Sequence, residues 1–154
     1  MTDDSKEYRF NSVISYLRES GFTISDEKHT IVTSEFYAKI ISPEEDLPVL
    51  ELISYPSLGN GIMFQAKLVN LKEQFPKLST SDLKNRIELD IAMKEMLNKN
   101  EILLSNNDEE LMIQKNFSID PQKTESKFEI LDLVSTLQTV TKNVEKWVDS
   151  NIRM

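Results

Sequence analysis

Apolar positions in this chain recur at helical spacing, then at alternate residues, then at helical spacing again. Phe10, Val13, Ile14 and Leu17 fall at i, i+3, i+4 and i+7, which predicts an amphipathic helix over 6–20. Ser5 can cap its start, and Gly21 stands where a helix end wants a left-handed residue. Phe22–Ser25 reads as a short strand, followed by a polar turn at Asp26-Glu27-Lys28. From Thr30 to Ile41 the pattern has period two. Val32, Phe36, Ala38 and Ile40 share one face, interrupted by Ser34, while Thr33, Glu35, Tyr37 and Lys39 share the other. Pro43-Glu44-Glu45-Asp46 stops that strand. Val49–Tyr55, β-branched and aromatic, predicts a third strand. After the turn Pro56–Gly61 a fourth runs from Ile62 to Val69, with Ile62, Phe64, Ala66 and Leu68 inward.

The second half returns to helical period after a linker, Asn70–Leu78, interrupted by Pro76. Ser79-Thr80-Ser81-Asp82 offers capping side chains for a helix over 81–98. Its predicted apolar face is Leu83, Ile87, Leu89, Ala92, Met93 and Met96, with Asn98-Lys99-Asn100 as the exit. Residues 101–105 and 110–119 read as a hairpin about Asn106-Asn107-Asp108-Glu109, with Leu111, Ile113, Phe117 and Ile119 on one face. Asp120-Pro121 ends it, and Thr124 can cap a last helix over 124–151. There Ile130, Val134, Leu137, Thr141, Val144 and Val148 form the cleanest stripe in the chain. Leu131, Leu133, Val140 and Trp147 widen it, as expected of a helix that touches its own sheet and a second surface. The elements run α-β-β-β-β-α-β-β-α. They predict one α+β domain over 1–154, with 1–5 a frayed end, a largely antiparallel sheet of five to six strands, and helices on one face.

Composition narrows the partners. The net charge is −8, from 26 acidic and 18 basic residues. Phosphate backbones and anionic lipid surfaces need clustered Lys and Arg, so nucleic-acid and membrane partners are not expected. No apolar run approaches the roughly 20 residues needed to span a bilayer, so membrane insertion is not expected either. The chain has no cysteine, which excludes disulfides and thiolate metal sites. The polar start Met-Thr-Asp-Asp-Ser-Lys-Glu lacks a secretory core, and a cytoplasmic, bacterial-type protein is expected. The sequon at Asn116–Ser118 then carries no modification.

No motif for catalysis is present. His29, the only histidine, is expected to be a plain residue of the polar turn Asp26-Glu27-Lys28-His29-Thr30, with no Gly-x-Ser-x-Gly elbow to support a triad, and one histidine makes no metal cluster. Gly59-Asn60-Gly61 is followed by a strand and lacks the Lys-Ser/Thr of a phosphate loop. Asp108-Glu109-Glu110 lacks the alternate ligands and glycine of a calcium loop. No cofactor is expected. The more informative residues are apolar ones at the outward parity of the strands: Ile31, Tyr37 and Ile41, then Leu50 and Leu52, then Met63 and Val69. Apolar residues on both faces predict a second face that meets a partner.

The order helix, meander, helix, hairpin, helix resembles the type III secretion chaperone fold, both of the Tir-chaperone type and of the related YbjN-like family. The resemblance covers Tyr8 to Ile152. It is carried by Phe10–Gly21, the strands Thr30–Ile41, Val49–Tyr55 and Ile62–Val69, the helix 81–98, Ile102-Leu103-Leu104, Leu111–Ile119 and the terminal helix. It is a likeness of topology and pattern, and Asn70–Leu78 is longer than the pattern has before the second helix. It implies a homodimeric cytosolic protein that binds a polypeptide without catalysis; in the secretion chaperones an extended effector segment wraps the dimer. The expected function is therefore a non-enzymatic protein-binding domain that takes an extended segment of a partner on Ile31, Tyr37, Ile41, Leu50, Leu52, Met63, Val69 and Trp147. On this reading Leu52→Asp abolishes capture and leaves the fold intact. Two alternatives stand beside it. One is a small-molecule-binding or enzymatic α+β domain with a cleft between sheet and last helix; the other is a structural assembly subunit.

Overall fold

The structure, a computed structural model, describes residues 2–30, 35–44, 46–54, 62–68, 74–117 and 125–152. Among them are four helices and six strands in the predicted order. Helix α1 spans Thr2–Glu19, and the strands β1 Thr23–Thr30, β2 Glu35–Ile41, β3 Leu50–Ser54 and β4 Ile62–Lys67 follow. Helices α2, Thr80–Leu89, and α3, Ile91–Lys99, come next, then β5 Leu103–Asn106, β6 Leu111–Phe117 and α4 Glu125–Asn151. The strands form one sheet in the order β1-β2-β3-β4-β6-β5, and every neighbouring pair is antiparallel. Ile31, Val69, Thr124 and the turn Pro56–Gly61 lie outside the described residues.

The inner face is built from one parity of each strand. Register aligns Ile24 with Ile40 and Leu50, and Ala38 with Leu52 and Phe64. Ala66 in turn stands beside Ile113 and Leu104. Side chains from all four helices join these in one continuous core. The predicted stripes supply it: Phe10, Val13, Ile14 and Leu17 from α1, and Ile130, Val134, Leu137, Thr141, Val144 and Val148 from α4, are all buried. Burying each such apolar side chain is worth roughly 1.5–3 kcal/mol before entropy is deducted.

Helix ends follow local chemistry. Phe22 N–H reaches Leu17 O at 3.0 Å and Gly21 N–H reaches Arg18 O at 3.1 Å, with Gly21 at φ +96°. This is the Schellman closure, in which a glycine takes the left-handed position without a Cβ penalty. Ser79 caps α2 by accepting from Asp82 N–H at 3.1 Å, while the Asp82 carboxylate accepts from Ser79 N–H at 3.4 Å.

Three expectations are corrected. The single helix over 81–98 is two helices, broken at Asp90. The Asp90 backbone is extended, its N–H closes α2 on Ile87 O at 3.2 Å, and its carboxylate opens α3 by accepting from Met93 N–H at 2.9 Å. The break resets the helical phase. Leu89 is therefore 80% and Ile91 75% exposed, Ala92 is exposed, and Met93 and Leu97 carry the burial instead. Asp26-Glu27-Lys28 is not a turn but an irregularity within β1, where register shifts between Ser25 and Lys28 and Asp26 adopts φ +54°. His29 is consequently a strand residue opposite Phe36, edge-on to Phe10 at 5.5 Å and to Phe36 at 5.6 Å.

Candidate functional site

The remaining strand parity forms the outer face, and no described helix layers over it. Register organises it into rows. One row runs Lys28, Tyr37, Ile53, Met63, Asn116; the next runs Lys39, Glu51, Gln65, Gln114, Leu103. In a third, Lys67 lies beside Met112 and Ser105. Met63 is buried yet stands apart from the main core, which marks a second apolar cluster with half-buried Ile53 beside it. Leu103, on the edge strand β5, is 62% exposed.

Among these apolar groups runs a chain of side-chain hydrogen bonds. Gln114 donates Nε2–H to Gln65 Oε1 at 2.9 Å, and Gln65 donates Nε2–H to Glu51 Oε1 at 3.0 Å. Tyr37 donates its hydroxyl to Glu51 Oε2, and Lys67 Nζ stands 3.7 Å from Glu51 Oε1 and 3.2 Å from Glu110 Oε2. Glu51 is thus a buried acid at the end of a chain whose donors all point toward it. Burial, the hydrogen bond to Glu51 and the nearby charges of Glu51 and Asp26 push the Tyr37 phenol well above its ordinary value. Burial works to lower the Lys67 ammonium, but Glu110 and Glu51 outweigh it and hold it raised. The arrangement fixes charge in place, with donors on both oxygens of the Glu51 carboxylate.

An open cleft of about 600 Å³ lies at one end of this face. Lys39, Glu51 and Lys67 border it from the sheet, Leu47, Pro48 and Val49 from the loop before β3, and Lys142 and Glu145 from the side of α4. Gln138 anchors that loop to α4 by donating to Pro48 O at 3.2 Å.

The expected contact residues divide. Tyr37, Ile41 and Met63 lie together on the outer parity, and Ile41 also lines the cleft. Ile31 and Val69 lie outside the described residues. Leu50 and Leu52 do not belong to this face: both are fully buried and pair with the inner-face Ile40 and Ala38. The outward positions of β3 are Glu51 and Ile53, because a charged side chain at a central strand takes the face away from the core. Trp147 packs against the main core and donates to Asp90, so it braces helices and does not reach the outer face. The ladder Glu51-Gln65-Gln114 is not visible in any one strand; its trace is a polar residue directly after an apolar one in each of three strands, Leu50-Glu51, Phe64-Gln65 and Ile113-Gln114.

Among the described residues no group of three acidic or histidine side chains is placed to hold a metal ion. Nor is any described helix long and apolar enough to cross a membrane.

No family model matches the chain, and no curated protein matches it. Among solved structures, the crystal structure of an uncharacterized protein from Methanothermobacter thermautotrophicus is similar with a TM-score of 0.62 at 14% identity, over 97% of this chain and 99% of that one. The likeness is one of fold, spanning the whole α+β arrangement.

Proposed function

We propose that this chain is a non-enzymatic protein-binding domain, similar in mode to a secretion chaperone or a YbjN-like regulator, which holds an extended segment of a partner against the outer sheet face as a homodimer. The observation that carries this reading is the face itself. It presents half-buried Ile53 and Met112 and the exposed edge residue Leu103 beside a hydrogen-bonded polar ladder, with no described helix over it. Extended segments gain backbone hydrogen bonds at a sheet edge and side-chain pockets on its face. The net charge of −8 favours a segment richer in basic than acidic residues.

The test is affinity capture of the tagged chain from lysate of its source cells, with stoichiometry by intact-complex mass spectrometry. The expected result is one protein bound to a dimer, retained by wild type and lost in Ile53→Glu or Leu103→Glu variants that melt like wild type. Equal capture by those variants, or a wild-type chain that returns with nothing bound, overturns the reading.

The cleft supports a second reading, a small-molecule-binding domain, because its volume falls within the roughly 300–1,000 Å³ of ligand sites. A saturable thermal shift with a metabolite that leaves peptide capture unaffected would favour it.

A further inference from the structure

The charges that border the cleft are unequal once their pairings are counted. Lys39 Nζ is held by Asp26 at 3.3 Å, and Lys67 lies between Glu51 and Glu110. These two cations are already neutralised, and the cation that remains at the cleft, exposed Lys142, stands against two carboxylates, Asp46 and Glu145, so the charge left unpaired among the described lining residues is net negative. On the opposite wall Glu145 is half-buried and makes no hydrogen bond or ion pair with another described residue. Lys142, one turn back on α4, is close enough to favour its ionised form without bonding it. Burial and the neighbouring Asp149 outweigh that help and push the carboxyl above its ordinary value. Glu145 is thus a half-buried cleft acid with no cation bonded to it among the described residues.

Between these walls the lining is apolar. Ile41 and Val49 present 37% and 47% of their surface, and Leu47 and Pro48 continue the strip toward α4. A small hydrated cation would bury nothing there. A chain of several methylene groups would cover it, at about 0.8 kcal/mol for each group buried.

We propose that the cleft binds an organic cation on an apolar chain, seating the chain along Ile41, Val49 and Leu47 and the cationic head at the Glu145 carboxylate. A free alkylamine and a lysine side chain of a polypeptide share this chemistry. The proposal rests on the small-molecule reading of this cleft and names its ligand class; it does not require a partner across the rest of the outer sheet face.

The experiment is a titration of the whole chain, followed by two-dimensional amide NMR, with n-pentylammonium, with hexanoate, and with N-acetyl-lysine methylamide. Saturable shifts centred on Ile41, Leu47, Val49 and Glu145 are expected with the cations, and binding of hexanoate at least about tenfold weaker. Glu145→Gln should weaken cation binding by about tenfold, the order expected for loss of one charge partner, with an unchanged melting curve. Val49→Lys, which places a cation in the cleft from an exposed position, should abolish it. N-acetyl-lysine methylamide binding more tightly than n-pentylammonium assigns the cleft to a polypeptide side chain; the reverse order assigns it to a free amine. Absence of saturable shifts at millimolar ligand overturns the proposal. So does hexanoate binding as tightly as n-pentylammonium, or a folded Glu145→Gln variant that binds like wild type.

Discussion

Trp147 donates its indole N–H to the Asp90 carboxylate at 3.0 Å, tying the last turns of α4 to the break between α2 and α3. Asp90 therefore holds three pieces of structure: its backbone closes one helix, its carboxylate opens the next, and the same carboxylate receives the ring of a third. The bond from Met93 N–H and then that from Trp147 keep the carboxyl below its ordinary 3.8. A carboxyl whose pKa is lower in the folded state stabilises the protein above its unfolded pKa, and that contribution is lost as pH falls through the folded value. Trp147→Phe is expected to raise the Asp90 pKa toward the ordinary value, as read by carboxyl-detected NMR titration. It should also lower the melting temperature more at neutral pH than in acid, where the two proteins converge apart from the loss of ring volume.

Leu52 provides the sharpest separation between the two faces. It is fully buried between Ala38 and Phe64 on neighbouring strands. Leu52→Ala should cost about 3 kcal/mol in denaturant unfolding, the range for removing a buried leucine side chain. Leu52→Asp should leave the chain unfolded, since a carboxylate there has no partner. Ile53→Ala, one residue along and half-buried on the outer face, should cost clearly less.

Strand β3 shows why part of this fold is legible in the sequence and part is not. In α1 and α4 one apolar stripe recurs at unbroken helical spacing, so period fixes which side faces the core even where Leu131, Leu133 and Trp147 widen the apolar surface of α4. In Val49–Tyr55 both parities are apolar, Leu50 and Leu52 against Val49 and Ile53, and period two does not choose between them. Glu51 chooses, because its charge belongs with the face away from the core. The break at Asp90 was hidden for a different reason. Neither glycine nor proline marks it, and one aspartate performs both caps with its own backbone and side chain. In β1 the bulge at Asp26 interrupts the alternation, so a strand reads as a polar turn and His29 loses its place beside Phe36. The site depends on register between strands distant in sequence, which brings Glu51, Gln65 and Gln114 side by side. Composition along one strand carries no record of that register.

Tyr37 and Glu51 give the outer face a signature in alkali. The phenol is held above its ordinary 10.0 by burial and by Glu51, so the folded state keeps its proton after the unfolded state has lost it. The resulting stabilisation is fully present below the unfolded pKa and is lost as pH rises through the folded value. Tyr37→Phe should cost about 1 kcal/mol at neutral pH through the lost hydrogen bond. Above about pH 10, the unfolded tyrosine's range, the variant should lose stability with rising pH less steeply than wild type. Denaturant unfolding at neutral and alkaline pH reads both effects.

The last prediction comes from two helix ends built the same way with different residues. After α3, Glu101 N–H bonds Asn98 O at 3.1 Å and Ile102 N–H bonds Leu97 O at 2.9 Å, the same closure that Gly21 makes after α1. Glu101 therefore sits at φ +55°, where a side chain brings Cβ too close to its own carbonyl. It is exposed, and its carboxylate makes no hydrogen bond or ion pair with another described residue, so the strain is not offset there. Replacing it with glycine relieves a left-handed penalty of roughly 1–2 kcal/mol, against roughly 0.5–1 kcal/mol of added freedom in the unfolded chain. Glu101→Gly should therefore raise stability by about 0.5–1 kcal/mol in denaturant unfolding at an unchanged m-value. Gly21→Ala, the opposite exchange at the matching position, should lower it by a similar amount. A Glu101→Gly variant less stable than wild type would mean that the side chain makes a contact that outweighs its backbone strain.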